Sequence, residues 1–205
     1  AAITTEVHYT GFVSPRPAPG ARKRIREKLD LDDQDLLIVA SIGSGSVGFE
    51  LIEAILKAVK SLTAAGKNLT LQLFTGPYLE ESSYRDACRS RNKDIRVKRF
   101  ATDFIDWLAA ADLSISMAGY NTCMNVLAVG VPALMYPFGQ NREQRMRITS
   151  IGSLANIKLL EQTDLVPERL ARIIETMVET PNSISTIRLD GAEQTAAILE
   201  HYHHQ

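Results

Sequence analysis

Apolar residues along this chain gather into short, nearly continuous runs, separated by stretches with a helical period. Leu36–Ile42 is almost wholly apolar, as expected of a strand covered on both faces. Leu69–Thr75, Ile95–Arg99, Pro132–Tyr136 and Ile157–Leu160 predict further, shorter strands, and Leu113–Met117 alternates apolar with small polar residues, which also suits a short strand. Between them apolar positions recur every three or four residues. That spacing predicts helices over 49–62, 80–91, 103–111, 121–129, 141–150, 167–179 and 190–202, and a charged one over 21–29. Gly130 stops one helix, and Pro137 closes the strand after it. Thr5–Val13 predicts an edge strand, and Pro15, Pro17, Pro19 and Gly20 a stiff connection.

Strands alternating with helices predict an α/β domain: a doubly wound, mostly parallel Rossmann-like sheet with helices on both faces. Residues 1–20 read as an entry or linker segment, 21–200 as the domain, and 201–205 as a tail. The ending Leu199–Gln205 resembles a tag, so its histidines are set aside.

Length and charge narrow the picture. At 205 residues there is material for one sizeable domain or two small ones, and a net charge of -1 provides no global field for nucleic acid or membrane. The basic run Arg22–Lys28 is followed by Asp30, Asp32 and Asp33, and reads as a solvated helix face. Asp30-Leu31-Asp32 sits at a helix end and reads as turn chemistry, not a metal pair. Cys88 and Cys123 lack paired spacing and read as free thiols in a reducing, cytoplasmic setting. No apolar run reaches the ~18 residues of a membrane span.

Two loops carry candidate chemistry. Gly43-Ser44-Gly45-Ser46-Val47-Gly48 follows a strand and opens a helix, the spacing of a dinucleotide fingerprint. The next strand ends Phe74-Thr75-Gly76 without an acidic residue for a ribose hydroxyl, which argues against NAD or FAD. A turn approached by a phosphate or sugar fits better, and a plain tight turn stays open. No Lys-Ser or Lys-Thr follows the glycines, which excludes a P-loop. The second loop, Ala118-Gly119-Tyr120-Asn121-Thr122, also joins a strand to a helix. There Gly119 allows a tight turn and Asn121 or Thr122 caps the helix. Both loops sit where free N–H groups favour anions, so a phosphate-bearing ligand across the sheet edge is expected.

Ser116-Met-Ala-Gly-Tyr-Asn-Thr122, Gly130-Val-Pro-Ala-Leu-Met-Tyr-Pro137 and Asn141-Arg-Glu-Gln144, with Phe100–Trp107 ahead of them, resemble the nucleotide-sugar half of GT-B glycosyltransferases. The likeness is to the group holding the MurG-type N-acetylglucosaminyltransferases and galactolipid synthases, and to related predicted glycosyltransferases. The order and spacing of these pieces, from Tyr9 to Ile198, are more specific than any one of them. The resemblance implies one half of a GT-B fold that uses a nucleoside-diphosphate sugar, a uridine one, as substrate, with no cofactor and no metal. It implies that the backbone at Arg99, Phe100 and Ala101 receives the base. Gly43, Ser44, Gly45 and Ser46, with Ser116, Ala118, Gly119, Tyr120, Asn121 and Thr122, would hold the diphosphate. Gln140 and Gln144 would touch the sugar.

One position departs from the pattern. Where these enzymes carry a glutamate that grips the ribose hydroxyls, this chain has Asn125, which would weaken the grip by ~1 kcal/mol or serve only as a cap. Catalytic residues are not identified: neither a central His nor a carboxylate base stands near the loops. Arg142, Arg145 and Arg147 read either as facing an anionic acceptor or as a solvated helix face. The resemblance further implies an amino-terminal acceptor domain, in cis or in trans, that completes the enzyme and could supply peripheral membrane contact. Two rival readings remain: a sugar-nucleotide epimerase or hydrolase half, and a non-catalytic binding or partner subunit.

Overall fold

The computed structural model describes residues 6–139, 141–152, 154–183 and 185–203. Elements follow in the order α1 (Ala21–Leu29), β1 (Leu36–Ser41), α2 (Phe49–Ala64), β2 (Leu69–Phe74), α3 (Glu81–Cys88), β3 (Ile95–Lys98), α4 (Phe104–Ala110), β4 (Leu113–Met117), α5 (Tyr120–Val129), β5 (Ala133–Tyr136), α6 (Arg142–Gly152), β6 (Ile157–Leu159), α7 (Pro167–Val178) and α8 (Gly191–His203). A 3-10 turn, Gln162–Leu165, separates β6 from α7.

The strands form one six-stranded sheet in the order β3-β2-β1-β4-β5-β6, and every pairing is parallel. The chain therefore grows outward from β1 to β3, crosses back, and grows outward again from β4. Alternation within β1 splits the core: Ile38 and Ala40 pack with α2 and α7, while Leu37 and Val39 pack with α4, α5 and α6. Cover on both sides explains why β1 is apolar at all but its last position, while β2 and β4 bury the polar Thr70, Gln72, Ser114 and Ser116.

Helix α1 corrects one expectation. Its arginines are not simply solvated. Arg22 and Arg26 donate to opposite oxygens of Asp112 at 2.8 and 3.0 Å, and Arg24 pairs with Asp106. Asp112 also accepts from the Leu37 amide at 2.8 Å, so one carboxylate ties α1, β1 and the start of β4 together. Asp30 takes the left-handed conformation (φ 60) at the end of α1, where its amide closes onto Arg26 and Glu27, so the Asp30–Asp32 stretch is turn chemistry.

The amino-terminal stretch is also not the strand expected. Among the described residues only Val13 makes a bridge, antiparallel to Asp190. Residues 10–18 nevertheless lie along the domain: the Phe12 amide donates to Arg188, the Gly191 amide to Phe12, and the Ala18 amide to Asp106. A Cβ on Gly191 would stand 2.8 Å from the Gly11 carbonyl, so this crossing requires a glycine. The tail is helical through His203, and the Tyr202 hydroxyl donates to Glu6 at 2.9 Å.

Two outcomes test the packing. Asp112→Ala leaves Arg26, which is 4% exposed, with backbone carbonyls but without its carboxylate partner, and is expected to cost about 3 kcal/mol in urea unfolding; a loss below ~1 kcal/mol would contradict the anchoring role. The thiols should separate: Cys123 is fully buried, and desolvation, partly offset by Arg147, pushes it up to about 11 from 9.0. A thiol reagent at neutral pH should label Cys88 and spare Cys123. Because the folded thiol holds its proton more tightly than the unfolded one, stability should be level below pH 9.0 and fall as pH climbs toward about 11.

Candidate functional site

Parallel pairing of β1 with β4 sets Ser41 opposite Ser116, so the two following loops leave the sheet side by side. Their contact is close: a Cβ on Gly48 would lie 2.9 Å from Met117 Sδ. The expectation that both loops share one sheet edge therefore holds in space.

The glycine loop is built differently from what its fingerprint suggests. Gly43, Gly45 and Gly48 all have positive φ (71, 92 and 93), a region that disfavours other residues. A Cβ on Gly45 would meet the Thr75 carbonyl at 2.6 Å, and one on Gly76 would meet the Gly45 amide at 2.4 Å. The Tyr78 amide donates to the Ser44 carbonyl at 2.9 Å. Gly45 is thus spent on packing loop against loop, not on admitting a ligand. The hydroxyls of Ser44 and Ser46 are exposed, 3.4 Å apart, and face solvent together.

The second loop is the better anion site. Gly119 has ordinary backbone angles (φ -65, ψ 149), and a Cβ there would meet nothing within 4 Å. The turn needs no glycine, and the space above it is open. Helix α5 starts at Tyr120, so Asn121 and Thr122 lie in its first turn instead of capping it, and no side chain caps it. The amides of Tyr120, Asn121 and Thr122 are the orphan donors of a helix start. Ala118 is fully buried, with its amide on Tyr136 and its carbonyl taken by Arg147. Ser116 is 1% exposed and paired with Ser114 at 3.1 Å inside the sheet, away from the rim.

Charge separates the two helix starts. The first turn of α2 carries Glu50, whereas that of α5 carries no acid. Burial, and then the carboxylates of Glu50 and Glu161, push the Tyr136 phenol above its ordinary value. On the other side, Arg147 reaches from α6 to the β4–α5 turn. It donates to Ala118 at 3.2 Å, lies over the Tyr120 ring at 5.5 Å, and pairs with exposed Glu143. Arg145 instead grips Glu161 through two bonds of 2.6 and 2.8 Å, which lowers the Glu161 carboxyl. Of the arginine trio only Arg147 stands at the loop, a choice its i, i+2 spacing from Arg145 could not reveal.

The remaining sequence candidates fall as follows. The Arg99 side chain folds back to the Leu79 carbonyl (3.0 Å) and stacks on Tyr84 (4.1 Å), and its own carbonyl accepts from Gly76. Phe100 is 61% exposed beside half-buried Ala101. Asn125 is half-buried, and its Oδ1 accepts from Ser14 Oγ at 3.1 Å, a contact the sequence did not suggest. Gln144 Oε1 accepts from the Phe138 amide at 2.7 Å, while Asn141 caps the Gln144 amide. These bonds shape the β5–α6 loop; Gln140 lies outside the described residues.

Sequence reasoning also passed over a rim of exposed apolar side chains. Val47, Tyr78, Phe100 and Phe138 are each exposed on a different strand-to-helix connection, and exposed Tyr120 opens α5. Their common position just after a strand was the available signal. A cavity of about 380 Å³ opens between the glycine loop, Tyr78 and Phe138.

Similar proteins share this architecture. Over 95 residues the chain is 30% identical to a UDP-N-acetylglucosamine--N-acetylmuramyl-(pentapeptide) pyrophosphoryl-undecaprenol N-acetylglucosamine transferase of Mesorhizobium japonicum, covering 45% of this chain and 25% of that protein. It superposes on MurG of Acinetobacter baumannii with a TM-score of 0.59 at 21% identity, covering 75% of this chain and 44% of that one. It superposes on a UDP-GlcNAc 2-epimerase of Methanocaldococcus jannaschii with a TM-score of 0.60 at 13% identity, covering 87% and 49%. The chain thus spans less than half the length of each. The profile of the glycosyltransferase family 28 C-terminal domain matches residues 39–200. With that match over most of its length, and with the six-stranded parallel sheet and paired loops behind it, the chain belongs to the glycosyltransferase family 28 C-terminal domain family.

Proposed function

We propose that this chain is the donor-binding half of a glycosyltransferase, taking a nucleoside-diphosphate sugar, with uridine as the base, without a metal. The observation that carries the proposal is the start of α5. Three unsatisfied amides, open space over Gly119, no acid in the first turn and the fixed Arg147 guanidinium converge there. A helix N-terminus carries about half a positive charge, and a diphosphate leaving group gathers negative charge as its bond to the sugar breaks. Fixed N–H donors and a guanidinium stabilise that charge without reorganising. Glu50 makes the α2 start a poor phosphate site and a better one for sugar hydroxyls, which donate to carboxylates.

The base would lie against Phe100–Ala101, the ribose over Asn125, and the sugar near Gln144. An acceptor hydroxyl, deprotonated by a base from an amino-terminal domain in cis or in trans, would attack the anomeric carbon and expel the diphosphate. The isolated chain would therefore bind donor but not turn it over. The exposed residues Val47, Tyr78, Phe100 and Phe138 offer that domain, or the donor itself, an apolar landing.

Asn125 favours a second reading, a binding subunit without its own turnover. No carboxylate faces a ribose diol there, and the amide oxygen of Asn125 already accepts one bond from Ser14. Mixing the chain with candidate amino-terminal domains and assaying sugar transfer separates the two: transfer supports the enzyme half, and donor binding without transfer supports the subunit.

Two substitutions test donor placement by calorimetric titration with uridine diphosphate. Gly119→Ala puts a methyl into the open space at an ordinary backbone conformation. It should leave Tm within ~2 °C and weaken the diphosphate at least ~10-fold, while uridine is unaffected. Unchanged diphosphate affinity would contradict the site. Asn125→Glu restores a charged acceptor and should tighten binding by ~1 kcal/mol, about fivefold; no tightening would remove the ribose from that position.

A further inference from the structure

A second cavity, of about 430 Å³, opens toward the β3 edge of the sheet between α1, β2, β3 and α4. None of the residues lining it belongs to the loops at 43–48 or 118–122. Its charge is one-sided: Lys28, Arg91, Arg96 and Lys98 line it, and no Asp or Glu does. Lys28 and Lys98 converge on one indole, their ammonium groups 5.6 and 5.5 Å from the centre of the Trp107 ring. Trp107 is 2% exposed, and its ring nitrogen donates to Asp103, which fixes the ring that both lysines approach. Among the described residues neither lysine forms an ion pair. Two like charges held against one ring repel each other and favour an anion between them.

The floor of the cavity carries an independent signal. Gln72 sits in the middle of β2 with no exposed surface, and its Oε1 has no hydrogen-bond partner. Arg96, its register neighbour on β3, has an equally unpartnered buried Nε, although its Nη2 is satisfied by the Leu29 carbonyl. An orphan acceptor beside an orphan donor is unusual in a folded interior. A hydroxyl group complements both at once, because it donates to one and accepts from the other.

We propose that this cavity binds a small hydroxyl-bearing phosphomonoester, of the sugar-phosphate class. Its phosphate lies between Lys28 and Lys98 over Trp107, and a hydroxyl reaches down to Gln72 and Arg96. Inorganic phosphate satisfies the lysines but does not span to the floor. A lipid surface meets the exposed lysines but is too broad to enter a cavity of this size, which Gln72 and Arg96 also line. The volume suits a molecule of this size.

Trp107 is the chain's single tryptophan, so its fluorescence reports the site directly. The whole chain is titrated with glucose 6-phosphate, glucose 1-phosphate, glycerol 3-phosphate, inorganic phosphate and glucose, with calorimetry in parallel. At least one of the phosphomonoesters should bind about 10-fold or more tightly than inorganic phosphate, and glucose should not bind. Lys28→Ala with Lys98→Ala, both exposed positions, should weaken that ligand at least ~10-fold. Gln72→Leu should keep phosphate binding and erase the preference for the ester, and its unfolding curve shows whether the fold is intact. The proposal is overturned if no phosphomonoester gives a saturable response below about 10 mM, or if none exceeds phosphate. Binding that survives the double lysine substitution also overturns it.

Discussion

Everything at the candidate site depends on the parallel pairing of β1 with β4. These strands are far apart in sequence and adjacent in the sheet, and the chain winds outward from them in opposite directions. At such a switch point the loops after the two strands diverge to helices on opposite faces and leave a crevice between them. The contact of Gly48 with Met117 shows how tightly that crevice is closed at its base. Asp112 helps hold the register, since it bonds the first residues of β1 while standing one residue before β4.

Within the crevice the division of labour is electrostatic. Glu50 and the carboxylate neighbourhood of Tyr136 occupy one side, beside the glycine loop. The bare start of α5 and Arg147 occupy the other. Glu143 partners Arg147 from an exposed position, so solvent screens that pair and leaves the guanidinium available. The segment at 12–14 borders the same helix, with Phe12 against Tyr120 and Ser14 on Asn125. What reads in the sequence as a linker is therefore also a wall of the site.

The sheet was legible because burial on both faces makes Leu36–Ile42 nearly continuous in apolar residues, and because Leu113–Met117 alternates with the period of a strand. The placement of the two loops followed from that. Finer surroundings of the candidate residues did not, for physical reasons particular to each. Arg22, Arg24 and Arg26 look solvated until Asp106 and Asp112, some eighty residues away, are brought beside them. Ser116 lies in a strand whose polar positions can face a covering helix as readily as a ligand, and it faces inward. Gly45 and Gly119 carry the same letter for different reasons, one crowded by backbone and the other open. Gln144 and Asn141 bond to their own loop, a local competition that residue type alone leaves undecided.

The central claim is that one helix start, between two neighbouring loops, receives a diphosphate. Backbone amide shifts in a nitrogen-15 NMR titration of the chain with uridine diphosphate test it most directly. The account expects the largest changes at Tyr120, Asn121 and Thr122, with smaller ones at Gly43–Ser46, and none of comparable size along α7. Saturable shifts centred elsewhere, with the α5 amides unmoved, would contradict it.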